Sequence, residues 1–253
     1  MSAVPEAPLR ITPDMLLSHR VDLERRMGRV PPVTLAILAL LAAIFVAEVW
    51  TGALRSRESV IAAGALVRQR VVAGEYWRLL TAPWLHGSAG HLIGNGIALY
   101  ILGMVSEAAF GPAQFLVLYM LSGLAGSIVS VLMGVGPAVG ASGAIFGLQG
   151  AVIVLLRRER DRLLVRDRRV GLVLLLWAIY TIAGGLTTPY IDNGAHIGGA
   201  LGGALVATRL HPIVLSPLPA ERAAVLRRWL WLVGALLIYA VVGWLRRRGV
   251  QWV

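Results

Sequence analysis

The chain has 253 residues, 57 % of them hydrophobic and 15 % charged, with a mean hydropathy of +0.74. A water-soluble domain of that length needs a far more polar surface, so the composition describes a polytopic membrane protein, and apolar segments of helix length make its expected class all-α. The sequence has no cysteine, which excludes disulfides, thiolate metal sites and a cysteine nucleophile, and its 24 basic residues are all arginine, which excludes Schiff-base chemistry and a Ser–Lys dyad. The net charge of +11 is read as arginine-rich loops facing anionic headgroups rather than as a nucleic-acid surface.

Residues 1–30 are polar and mixed in charge, with helical spacing in MLLSHRVDLERRM and no pattern of a signal peptide. Seven apolar segments follow, at 33–50, 92–110, 113–133, 142–156, 170–186, 194–209 and 229–245, and each is read as a membrane helix. Threading them with the N-terminus inside puts sixteen arginines on the inner side and eight on the outer. That excess predicts a cytoplasmic N-terminus and an extracytoplasmic C-terminus. The long 51–91 segment has Trp50, Trp77 and Trp84 in or near it, which suggests a stretch lying in the outer interface instead of a free linker.

One segment is short. From Ser142 to the arginine cluster beginning at Arg157 there are 15 residues, about 22 Å of helix at about 1.5 Å per residue. With those arginines at the inner surface, Ser142 lies several Å below the outer one, and the preceding GVGPAVGA dips into the membrane to meet it. Irregular backbone at that depth is tolerated inside protein or beside water. The expectation is a wet cavity open to the outside, with Ser142 on its floor.

Polar residues inside the predicted helices are few and costly, which makes each a site hypothesis. His91, Asn95, Ser142 and His196 all fall near the outer ends of their helices. Taken alone, Ser142 is either a small packing residue or helix N-cap, or a nucleophile with a base nearby. His196 lies in NGAHIGGALGGAL, whose repeated small-xxx-small pairs allow close helix approach. It reads either as a buried histidine bonded to a carbonyl or as a general base brought to a serine. Asp192 or Asn193 fits the N-cap of that helix better than a third catalytic member, so a dyad is expected. His91 and Asn95 share one helix face at i, i+4 spacing. With His86 they could form a metal site, but no carboxylate or cysteine completes a ligand set, and two neutral donors suit an oxyanion hole better. Interhelical hydrogen bonding is the plainer alternative.

Trp77–Arg78, the H-x4-H-x3-N run at His86, His91 and Asn95, GASG around Ser142 and AHIGG around His196 together resemble the rhomboid intramembrane serine proteases, in order across about 70–210. The resemblance implies a rhomboid-like six-helix bundle with an added C-terminal helix: a segment at 1–30, a protease core at 31–210, and a loop with the seventh helix at 211–253. It implies that Ser142 is the nucleophile, His196 its base, and His91 and Asn95 the oxyanion-stabilising pair. Trp77 and Arg78 correspond to the structural motif of the first loop, and Glu107 to a buried structural glutamate. Phe146 stands where relatives often carry a tyrosine that stacks on the histidine. No metal or cofactor is expected. The implied partners are transmembrane protein substrates and membrane lipids, with no nucleic acid, and the implied location is a bacterial inner membrane. A non-catalytic rhomboid-like module that binds transmembrane clients is the rival reading, and a small transporter a weaker one.

Overall fold

The computed structural model describes residues 20–134, 136–165, 169–188 and 191–247. Most of the expected 1–30 segment and the residues after the seventh helix therefore lie outside the described residues. All seven expected apolar helices are present: α2 (Pro32–Trp50), α6 (Ala89–Phe110), α7 (Pro112–Met133), α8 (Ser142–Arg158), α9 (Val170–Thr187), α10 (Asn193–Ala207) and α11 (Ala220–Arg247). Five of them are long and apolar enough to cross a membrane, whereas α8 and α10, at 17 and 15 residues, are shorter. Turn chemistry sets several of the ends. Pro32 and Pro112 open α2 and α7 at positions where a missing N–H costs nothing, and Gly134 closes α7 in the left-handed region. The seventh helix begins at Ala220, nine residues before the expected start, because the charged AERAAVLRR stretch continues the helix beyond its apolar part.

The core is built on α6, α7 and α8, with Leu99, Phe110, Phe115, Leu118, Tyr119 and Leu148 at or near zero exposure. The outer helices expose their apolar residues instead: Trp177, Tyr180 and Leu186 on α9, Trp231 and Ile238 on α11. In water such a surface would aggregate, whereas in lipid it is the expected one. The short helix α1 (Leu23–Met27) and the strand β1 (Val21–Asp22) precede α2, and β1 pairs in parallel with β2 (Leu163–Leu164) just after α8. That pairing ties the start of the described chain to the loop beyond α8.

The 51–91 segment is folded. It holds α3 (Arg57–Ala63), α4 (Arg68–Val72), α5 (Arg78–Thr81) and a 3-10 turn at Ala82–Trp84. Arg78 staples it: the guanidinium is buried, donates to the carbonyls of Ile61 and Ala65, pairs with Glu75 at 2.6 Å and lies over the Trp77 ring. The three tryptophans divide, since Trp77 is buried, Trp84 packs on the core and Trp50 stands exposed. The helix α11 then closes over this segment. Trp244 donates its indole N–H to the Ala63 carbonyl at 2.9 Å, and Gly243 lies against Trp77 so closely that a Cβ there would come within 2.7 Å of the indole.

At the far end of α6, Glu107 is buried and its carboxylate accepts from the backbone N–H groups of Val33 and Thr34 and from the Thr34 hydroxyl. These N–H groups sit in the first turn of α2, where no intrahelical acceptor exists and where negative charge is favoured. Glu107→Ala leaves them buried without an acceptor. The expected loss is about 2–4 kcal/mol of stability, read as a lowered thermal midpoint in detergent, with Glu107→Gln intermediate.

Candidate active site

Ser142 opens α8. The bland expectation for it, an N-cap, does not hold: the cap is Ala141, and no side-chain cap bond is made. The Ser142 Oγ instead lies 3.0 Å from the Nε2 of His196 on α10. This approach depends on glycine. The α10 glycines lie on two faces, with Gly198 and Gly202 against Val129 and Ala125 of α7, and Gly199 and Gly203 against the backbone of Gly143 and Gly147 on α8. Backbone therefore touches backbone on the α8 side, and the small-xxx-small repeats set the distance between serine and histidine.

Phe146, one turn after Ser142, stacks on the imidazole with centroids 4.2 Å apart and planes within 10°. A ring so placed fixes the imidazole plane without a hydroxyl. Asp192 caps α10 by accepting from the Ala195 N–H and also accepts from the Ser130 hydroxyl, as expected of a cap. Its backbone carbonyl accepts from the His196 N–H, but its carboxylate does not bond the imidazole, whose Nδ1 has no hydrogen-bond partner among the described residues. Ser142 and His196 thus form a hydrogen-bonded pair with no carboxylate bonded to the imidazole Nδ1 among the described residues.

His91 and Asn95 face the same space from α6. Together with Ser142, His196 and Phe146 they line a cavity of about 1010 Å³, walled by Trp177 of α9 on one side and by the 136–139 loop on another. That loop is held by an isolated bridge between Leu66 and Ala138 and by the Gly140 N–H donating to the Ala82 carbonyl. Gly140 adopts φ +128°, and a Cβ there would lie 2.6 Å from the His91 ring, so only glycine lets the loop pass the imidazole. The first N–H groups of α8 have no intrahelical acceptor and add donors beside Ser142.

Two polar groups lie behind this face: Glu48, which sequence reading did not single out, and His86, which it gave only as a motif position and a weighed metal ligand. Glu48 on α2 is 4 % exposed, and its carboxylate accepts from the His86 N–H. His86 is fully buried, with Nε2 3.1 Å from Asn95 Nδ2 and its ring edge-on to His91. Burial pushes the His86 pKa down to about 4, His91 lowers it further, and the Trp84 backbone partly opposes both. No group of three or more His, Cys, Asp or Glu is placed to hold a metal ion among the described residues.

A polytopic helical membrane protein with a serine and an imidazole joined on the wall of a largely apolar cavity, which His91 and Asn95 also line, is the class these observations define. A model of the rhomboid domain matches residues 73–213, more than half of the chain. Rhomboid protease AarA of Providencia stuartii is 30 % identical over 207 residues, covering 72 % of this chain and 73 % of AarA. Rhomboid protease GluP of Bacillus subtilis is 35 % identical over 180 residues, which is 71 % of this chain but 35 % of GluP. Inactive RHOMBOID-like protein 8 of Arabidopsis thaliana is 36 % identical over 126 residues, or 49 % of this chain and 35 % of that protein. The chain thus spans about a third of the length of GluP and of the inactive relative. It belongs to the rhomboid family and is an integral membrane protein.

Proposed function

We propose that this chain is an intramembrane serine endopeptidase that hydrolyses peptide bonds in or near the transmembrane segments of other membrane proteins. The observation that carries the reading is the 3.0 Å contact between Ser142 Oγ and His196 Nε2 on a cavity wall, with Phe146 holding the imidazole. A neutral His196 takes the Ser142 proton as Oγ attacks the scissile carbonyl. The tetrahedral oxyanion is stabilised by His91, Asn95 and the first N–H groups of α8. His196 then returns the proton to the leaving amine, and water, activated by the same imidazole, releases the acyl group from Ser142. A substrate helix approaches laterally and unwinds at its top, since a helix hides its carbonyls. Cleavage is therefore expected beside small or helix-destabilising residues. No step needs a metal or cofactor. The arginine distribution supports a cytoplasmic N-terminus, an extracytoplasmic C-terminus and, for a bacterial chain, residence in the inner membrane.

The test is chemical. A fluorophosphonate probe incubated with the purified protein is expected to leave a phosphonyl adduct on the peptide containing Ser142. The same preparation in proteoliposomes is expected to cleave a model transmembrane substrate. Absence of both adduct and product would leave the non-catalytic client-binding module as the better account.

A further inference from the structure

The proposed reaction leaves two buried polar groups without a task, Glu48 and His86. The connection between His86 and Asn95 is specific in its chemistry. An amide nitrogen has no lone pair with which to accept, so Asn95 Nδ2 donates and His86 Nε2 accepts across their 3.1 Å separation. The imidazole is then neutral, with its proton on Nδ1. It is also held in place: its backbone N–H donates to Glu48 Oε2 at 3.0 Å, and His91 packs against its ring with centroids 5.1 Å apart. A carboxyl on the apolar α2 helix is costly in a membrane, and this contact gives Glu48 a use.

The consequence falls on Asn95. Its amide has one arrangement that presents N–H to the cavity and a second, reached by a 180° flip, that presents an oxygen. An oxygen facing a developing oxyanion repels it. With one N–H committed to His86, the nitrogen can exchange with the oxygen only if the ring also moves its proton from Nδ1 to Nε2, and in the present arrangement the other N–H remains for the cavity. Nδ2 already lies beside Gly140, where a Cβ would be 3.4 Å away, two residues before Ser142.

We propose that His86, anchored through its backbone to Glu48, is a positioning residue that locks the Asn95 amide with its N–H toward the oxyanion. The inference rests on the serine-endopeptidase reading for its catalytic meaning, while the locked amide is a property of the resting protein. The full chain in proteoliposomes is compared as wild type, His86→Leu, His86→Gln, Asn95→Ala and the His86→Leu/Asn95→Ala double variant, on a model transmembrane substrate. His86→Leu is expected to lower kcat about tenfold at unchanged KM, a fraction of what loss of a whole oxyanion donor costs. His86→Gln places an amide acceptor near the former Nε2 and is expected to recover to within about threefold of wild type. The double variant is expected to be no slower than Asn95→Ala, because His86 acts only through Asn95. Multiplied losses, or a Gln variant as slow as Leu, would overturn the proposal. If His86→Leu does not fold, the ¹⁵N resonances of the His86 ring in the wild-type protein decide. Protonated Nδ1 with unprotonated Nε2 supports the lock, and the opposite tautomer removes it. A wild type that neither cleaves nor takes the probe counts against the protease reading alone, since the ring tautomer is read without turnover.

Discussion

Ser142→Ala is expected to abolish cleavage and probe labelling while leaving the fold as it was. The serine is the first residue of α8 but does not cap it, so removing Oγ breaks no helix-terminal bond. What it breaks is the contact to His196. The thermal midpoint in detergent should stay close to wild type, because a small side chain is replaced by a smaller one of better helix propensity. The rate should fall by at least ~10³-fold. His196→Ala should lose as much rate for a different reason, the missing base, but it also removes the ring that stacks on Phe146. It is therefore expected to cost about 1 kcal/mol of stability that Ser142→Ala does not. Since serine and histidine act as one unit, the double variant should be no slower than either single one. Residual cleavage in Ser142→Ala above that of an empty liposome would mean that another nucleophile does the work.

The membrane helices were legible because lipid imposes long apolar runs, and the small-residue repeat around His196 announced a close crossing before any partner was known. The pairing of Ser142 with His196 could be expected from their shared depth, but its distance could not. That distance arises from Gly199 meeting Gly143 across two helices, 56 residues apart in sequence. Glu107 could be placed at a helix end, yet its acceptor role depends on Val33 and Thr34, which reach it only when α2 packs on α6. Glu48 was missed although a signal existed: a lone carboxyl in the apolar 33–50 run is as costly as any of the residues singled out. His86 was visible as a motif position in a loop, where histidines are ordinarily solvated. Only the tertiary closure of the 51–91 segment buries it behind Asn95. The early start of α11 was hidden for a simpler reason, since hydropathy finds the part of a helix that lies in lipid and passes over charged turns beyond it.

Gly199→Ala tests whether the crossing of α8 and α10 sets the chemistry. A Cβ at this position would lie 2.7 Å from the Gly143 carbonyl carbon and 3.1 Å from its Cα. Those atoms belong to a buried helix backbone and cannot swing aside like a side chain, so the two helices must separate. The strain is expected to cost about 1–3 kcal/mol even though alanine is the better helix former. The same displacement acts directly on the pair, because Ser142 adjoins Gly143 and His196 lies one turn before Gly199. Lengthening their 3.0 Å contact by an ångström is expected to lower cleavage by about 10²-fold. A lowered thermal midpoint and a lowered rate should therefore appear together in one variant that changes no polar group. Gly234→Ala on α11 supplies the contrast: a Cβ there meets nothing within 4 Å. It should raise stability by up to ~1 kcal/mol and leave the rate alone. If Gly199→Ala kept both the midpoint and the rate of wild type, contact between the two backbones would not be what holds the imidazole against the serine.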